Sequence, residues 1–179
     1  PFQAVRSAGV SEGDLAIVIG VGGIGTHCVQ VAAAAGAKVL AIDVDPDKLE
    51  AAVEAGAFAA IDSTDLSTRE LKGAVKSEVK AVGGPKVLWK IFETSGTKGG
   101  QQTAFSLLGF GATLAVVGFT MAKVEVRLSN LMAFDATAFG IWGCDPVLYP
   151  ETLQWIADGR IKVGPYVERH PLSELPEVL

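Results

Sequence analysis

Six residues carry the clearest chemical pattern in this chain. Gly20-Val21-Gly22-Gly23-Ile24-Gly25 follows the apolar run Leu15 to Ile19 and opens a helical pattern that runs to about Ala35. Gly20 permits a tight strand-to-helix turn. Gly22 removes the side chain that would hold the backbone away from a pyrophosphate, and Gly25 lets the helix approach the first strand. A helix start at this place offers free amides and partial positive charge to phosphate. A bare turn with no ligand is the bland alternative. Asp43 weighs against it, because it ends the second apolar run, Lys38 to Ile42. An acidic residue there accepts hydrogen bonds from an adenosine ribose and repels the 2′-phosphate of NADP. Val44 and Asp45 supply no arginine to hold that phosphate. The pattern predicts NAD over NADP, a preference that Asp43→Gly should narrow. Lys48, one turn into the next helix, either reaches the same ribose or is a solvated surface lysine.

Further candidates come from position. Thr94-Ser95-Gly96 and Gly118-Phe119-Thr120 follow the fourth and fifth apolar runs, where a nucleotide crevice is expected. Their small residues would let backbone approach a cofactor. His27, just past the glycine turn, reads as a packing residue at a helix terminus, and His170, beside Pro171, as a surface residue. Cys28 and Cys144 lie far apart with no second soft ligand nearby, so both read as reduced thiols and no tetrahedral metal site is expected.

The elements that must position these residues alternate between strand and helix. Expected strands are 15–19, 38–42, 58–61, 87–92, 113–117 and 138–142, each a short apolar run suited to a sheet buried on both faces. Asp45-Pro46 reads as a cap and first helical residue, and Ser67 with Glu70 as a capping box. The last clear helix spans 151–158. Strand–helix alternation requires right-handed crossovers and predicts a doubly wound, six-stranded parallel sheet, an α/β Rossmann architecture in the order 3-2-1-4-5-6 with helices on both faces. Residues 1–14 read as a helix end and an entry segment, 15–165 as the nucleotide-binding domain, and 166–179 as a tail with a short amphipathic segment from Leu172 to Leu179. Both ends read as joins to a larger protein.

Composition narrows the classes. Hydrophobic residues are 49% and charged residues 20%, which fits a globular chain rather than a disordered one. The net charge of −5 and the lack of basic runs argue against nucleic acid as a partner. No apolar stretch reaches membrane-spanning length and no signal peptide is visible, so no membrane partner and a reducing, cytoplasmic setting are expected.

These residues resemble the cofactor domain of zinc-type medium-chain alcohol dehydrogenases. The resemblance runs from Gly13 through the glycine turn, Gln30, Ala35-Gly36-Ala37, Asp43 and Lys48-Leu49. It continues through Glu93-Thr94-Ser95-Gly96, Gly109-Phe110-Gly111, Val116-Val117-Gly118 and Gly140-Ile141-Trp142-Gly143. It implies that backbone from Val21 to Ile24 binds pyrophosphate, that Asp43 and Lys48 bind ribose, and that backbone at Phe119 and Trp142 flanks nicotinamide. It implies hydride transfer between an alcohol and NAD(H), with zinc held in a catalytic domain this chain lacks and the chain alone inactive. The stretch Ile141 to Pro150 is similar to the 6-hydroxycyclohex-1-ene-1-carbonyl-CoA dehydrogenases, implying a hydroxyacyl-CoA substrate. The family also implies a homodimer joined along strand 138–142, whose residues include no Lys, Glu or Pro to blunt a free edge. The segment Lys123 to Arg127 is the alternative cover for that edge. Ile141→Pro is expected to dissociate such a dimer. A zinc-free, NADPH-dependent quinone or enoyl reductase, a nucleotide-sensing module and a methyltransferase remain as other readings of the same glycine turn.

Overall fold

The computed structural model describes residues 1–178. Six parallel strands form one sheet: β1 (Leu15–Ile19), β2 (Lys38–Asp43), β3 (Ala59–Asp62), β4 (Lys90–Glu93), β5 (Thr113–Val116) and β6 (Thr137–Gly140). Their spatial order is β3-β2-β1-β4-β5-β6, as the crossover rule predicts. The order reverses between β1 and β4, and the crevice belongs at the carboxyl ends of those strands.

Two helical layers cover the sheet. On one face α1 (Phe2–Ser7), α2 (Gly23–Ala34), α3 (Pro46–Glu54) and α7 (Tyr149–Ala157) pack over Ala16, Val18, Val39, Ala41, Phe92 and Ala115. On the other, α4 (Thr68–Ala81) and α5 (Lys98–Ser106) pack over Leu15, Ile17, Ile19, Leu40, Ile42, Ile91 and Leu114. Strand side chains alternate between faces, so the chain places small residues under α2 and long aliphatics under α4 and α5. Small side chains let a helix axis approach its sheet closely, which carries the start of α2 down to the ends of β1 and β4. Buried Phe2, Ala4 and Val5 of α1 join the same core as Trp155 of α7, and the Phe2 and Trp155 rings meet edge to face at 5.1 Å. Two short helices complete the order, α6 (Ser129–Ala133), which the sequence pattern did not reveal, and α8 (Leu175–Val178). The last residue of the expected amphipathic segment, Leu179, lies outside the described residues.

Local chemistry explains most boundaries. Asp45 caps α3 by accepting from the amides of Asp47 and Lys48, with Pro46 first in the helix. Ser67 and Glu70 form both halves of a capping box on α4. Three expectations need correction. The fourth strand starts at Lys90 rather than Val87, because Leu88 takes a left-handed conformation (φ 62°) and turns the preceding residues off the ladder. The sixth strand ends at Gly140 rather than Trp142. The amides of Thr137 and Ile141 point inward, donating to Ala112 and Val116. By strand alternation the outward amides of β6 belong to Ala138 and Gly140, so Ile141 is the wrong position at which to test edge pairing. Val126 packs on the α4/α5 face, and among the described residues no backbone bond ties 123–127 to β6.

Candidate functional site: a crevice at the carboxyl ends of the parallel strands

The turns that follow β1, β2, β4 and β5 converge on two adjoining cavities. One, of about 460 Å³, is lined by Gly20, Gly22, Asp43, Lys48, Thr94 and Ser95, with Ser63 and Thr97. The other, of about 1040 Å³, is lined by Gly23, Ile24, Thr94, Ser95, Gly118, Phe119 and Trp142 and is mostly apolar. Thr94 and Ser95 border both.

The glycine turn is shaped by contacts that only glycine permits. Gly20 has φ 85°, and a side chain there would overlap the backbone of Ser95. A side chain at Gly25 would overlap the carbonyl oxygen of Gly20 and come within 2.9 Å of the Thr94 hydroxyl. Gly22 and Gly23 differ, since a Cβ at either meets nothing within 4 Å. Their bareness serves no packing need within the chain. Gly22 is the cap residue of α2, and no side chain caps that helix, so the first amides of α2 have no side-chain partner. Uncapped amides beside side-chain-free backbone fit an anionic group such as a diphosphate.

Asp43 borders the same cavity and is bonded to the glycine turn. Its Oδ2 accepts from the Val21 amide at 2.7 Å, and its Oδ1 accepts from the amides of Val44 (2.7 Å) and Asp45 (3.1 Å). A carboxylate has about four acceptor positions, so one remains for a ligand hydroxyl. Lys48 pairs with Asp45 at 3.0 Å. The hydrogen bond from Lys48 is the main cause that lowers the Asp45 carboxyl, while Asp45, and then the more distant charge of Asp43, raise the Lys48 ammonium. Lys48 therefore stands charged at the same rim as Asp43.

The other predicted residues fall at the crevice with different parts to play. The Thr94 hydroxyl donates inward to the Gly20 carbonyl at 2.6 Å, and the Ser95 hydroxyl donates to Glu93 at 2.6 Å, so both fix turns rather than present free donors. Gly118 packs on Gly96, and Phe119 and Trp142 are 69% and 89% exposed at the mouth of the larger cavity. His27 donates through Nδ1 to the Gly23 carbonyl at 2.7 Å and packs on Tyr166, a terminus role as its position suggested. Cys28 is buried on α2, and burial pushes its thiol up to about 12. Among the described residues no group of three or more His, Cys, Asp and Glu gathers to hold a metal, so the zinc expected of the resembled family has no fitting site here. No helix among them is long and apolar enough to cross a membrane. Sequence reasoning missed Glu93 as a candidate residue of the site, although an acidic residue closing the apolar β4 was its signal.

The chain belongs to the zinc-binding dehydrogenase family, whose model matches residues 23–158. It is 28% identical over 178 residues to an alcohol dehydrogenase from Geobacillus stearothermophilus, covering 99% of this chain and 49% of that protein. An alcohol dehydrogenase from Thermus sp. ATN1 superposes with a TM-score of 0.84 at 25% identity, over 98% of this chain and 49% of the other. An alcohol dehydrogenase zinc-binding domain protein from Burkholderia ambifaria gives 0.82 at 27% identity, over 99% and 47%. The chain thus spans about half the length of the relatives it matches.

Proposed function

We propose that this chain is the NAD(H)-holding half of an alcohol dehydrogenase. The observation that carries this reading is the uncapped, side-chain-free start of α2, which lines one cavity together with the partly free carboxylate of Asp43. Of the expected stretch Val21 to Ile24, whose Val21 amide is taken by Asp43, backbone at Gly22, Gly23 and Ile24 would receive the diphosphate, and Asp43 with Lys48 the adenosine ribose. The turns 94–96 and 118–119, with Trp142, would enclose the nicotinamide half. When bound, the nicotinamide supplies the hydride acceptor or donor for an alcohol carbon. In this reading the chain's own residues bind and orient, while the alcohol and the zinc are handled outside it. The narrower hydroxyacyl-CoA substrate draws on the resemblance across 141–150 alone. A homodimer along β6 belongs to the same reading, supported by the exposure of Thr137, Ala138 and Gly140.

Asp43 sets the cofactor preference. It has about one acceptor left for a ribose hydroxyl, whereas a 2′-phosphate brings charge and no donor. Titration of the chain with NADH and NADPH should favour NADH by roughly tenfold or more, the scale of a charge-assisted hydrogen bond. Equal or tighter NADPH binding would refute the assignment. For the dimer, light scattering of Ala138→Pro should report dissociation; a dimer that survives is joined elsewhere.

A further inference from the structure

Glu93 is fully buried at the end of β4. Its Oε1 accepts three hydrogen bonds, from the Ser95 amide (2.9 Å), the Ser95 hydroxyl (2.6 Å) and the Gly96 amide (3.1 Å). Its Oε2 is buried with no hydrogen-bond partner. Two glycines, Gly118 and Gly100, wall the carboxyl group in, and a third, Gly96, lies against Phe119. A side chain at Gly118 would come within 2.8 Å of Oε2, one at Gly100 would come within 3.0 Å of Oε1, and one at Gly96 would meet the Phe119 carbonyl at 2.7 Å. A carboxyl group taken out of water with one oxygen unmatched is costly, and a neutral residue would end the strand at less cost.

What Glu93 holds is the wall between the two cavities. Its side chain fixes turn 94–96, while its main-chain carbonyl accepts from the amides of Val117 (2.8 Å) and Gly118 (2.9 Å). Gly96, Gly118 and Phe119 border only the larger cavity, which would take the nicotinamide half. We propose that Glu93 is a positioning residue for that half. Its carboxylate draws the ends of β4 and β5 into one rigid wall on which the nicotinamide rests, while the adenosine half is held by Asp43 and α2 independently. This rests on the nucleotide reading above.

The test compares NADH with ADP-ribose, which lacks only the nicotinamide, by titration calorimetry on the intact chain. Glu93→Asp is one methylene short of Ser95 and Gly96. It should weaken NADH by roughly tenfold, the scale of a lost charge-assisted bond, and leave ADP-ribose within about twofold. Glu93→Gln keeps an acceptor for the three donors and should restore most of the NADH affinity. Ser95→Ala removes one donor without disturbing the core, and should show the same selective loss in smaller measure even if Glu93→Asp does not fold. Equal weakening of both ligands would make Glu93 a fold residue only and overturn the proposal, as would unchanged NADH binding in Glu93→Asp and Ser95→Ala. If the unaltered chain binds neither ligand, the nucleotide reading itself fails and takes this one with it. Normal ADP-ribose binding with unmoved selectivity defeats the role of Glu93 alone.

Discussion

The starts of α2 and α4 solve the same physical problem in opposite ways. Each helix exposes its first amides. At α4 the chain satisfies them itself: Ser67 accepts from the Glu70 amide, and Glu70 accepts from the amide and hydroxyl of Ser67. At α2 no side chain does so, and the cap residue is Gly22. The helices α3 and α5 also carry side-chain caps, from Asp45 and Thr97. Among these four helices, which cross over between successive strands, α2 alone has no side-chain cap, and its start lines the crevice. At α2 local stability has been given up where a ligand can supply it.

Substitutions at the two starts should therefore separate stability from binding. Gly25→Ala drives a methyl group into the Gly20 carbonyl. Backbone cannot yield cheaply, so a loss of about 3 kcal/mol or more is expected in chemical denaturation, along with nucleotide binding. Gly22→Ala projects its methyl into open space and should leave stability within about 0.5 kcal/mol, yet weaken NADH roughly tenfold by blocking close approach. A Gly22→Ala chain that binds as well as the original would erase the contrast between the two helices. Ser67→Ala should cost about 1 kcal/mol of stability and leave nucleotide affinity unchanged.

The smallest effect is acid-dependent. The Ser67 hydrogen bonds lower the Glu70 carboxyl below its ordinary 4.5. A lowered carboxyl contributes stability that is present above that ordinary value and lost as pH falls through the folded one. The original chain should therefore lose slightly more stability than Glu70→Gln when acidified below 4.5. Parallel acid limbs for the two chains would show that the exposed capping box adds nothing through charge.

Much of this contrast is readable from sequence because it depends on neighbours in the chain. Glycine spacing after an apolar strand, Asp45-Pro46, and Ser67 with Glu70 are local signals, and the structure shows a tight turn opening α2, a cap on α3 and a capping box on α4 at these places. The sheet order followed from strand–helix alternation. What could not be read depends on groups distant in sequence. Asp43 gives most of its acceptors to Val21, Val44 and Asp45, which no spacing reveals. The Thr94 and Ser95 hydroxyls face inward, toward Gly20 and Glu93. The left-handed Leu88 shortened β4 because its amide is taken by the Phe110 carbonyl across the fold. Helix α6 was hidden because its five residues have no side-chain cap.

The thiol of Cys28 turns the packing of α2 into a clock. It is wholly enclosed on the helix that starts the crevice, and with its proton held to about 12 it is inert while that helix is seated. Alkylation near neutral pH can then proceed only through openings that expose α2, and its rate counts them. Any ligand that grips the start of α2 must slow the clock by the factor 1 + [ligand]/Kd, whatever reaction the ligand later undergoes. A single buried sulfur thus makes occupancy of the crevice measurable in the time domain, without turnover.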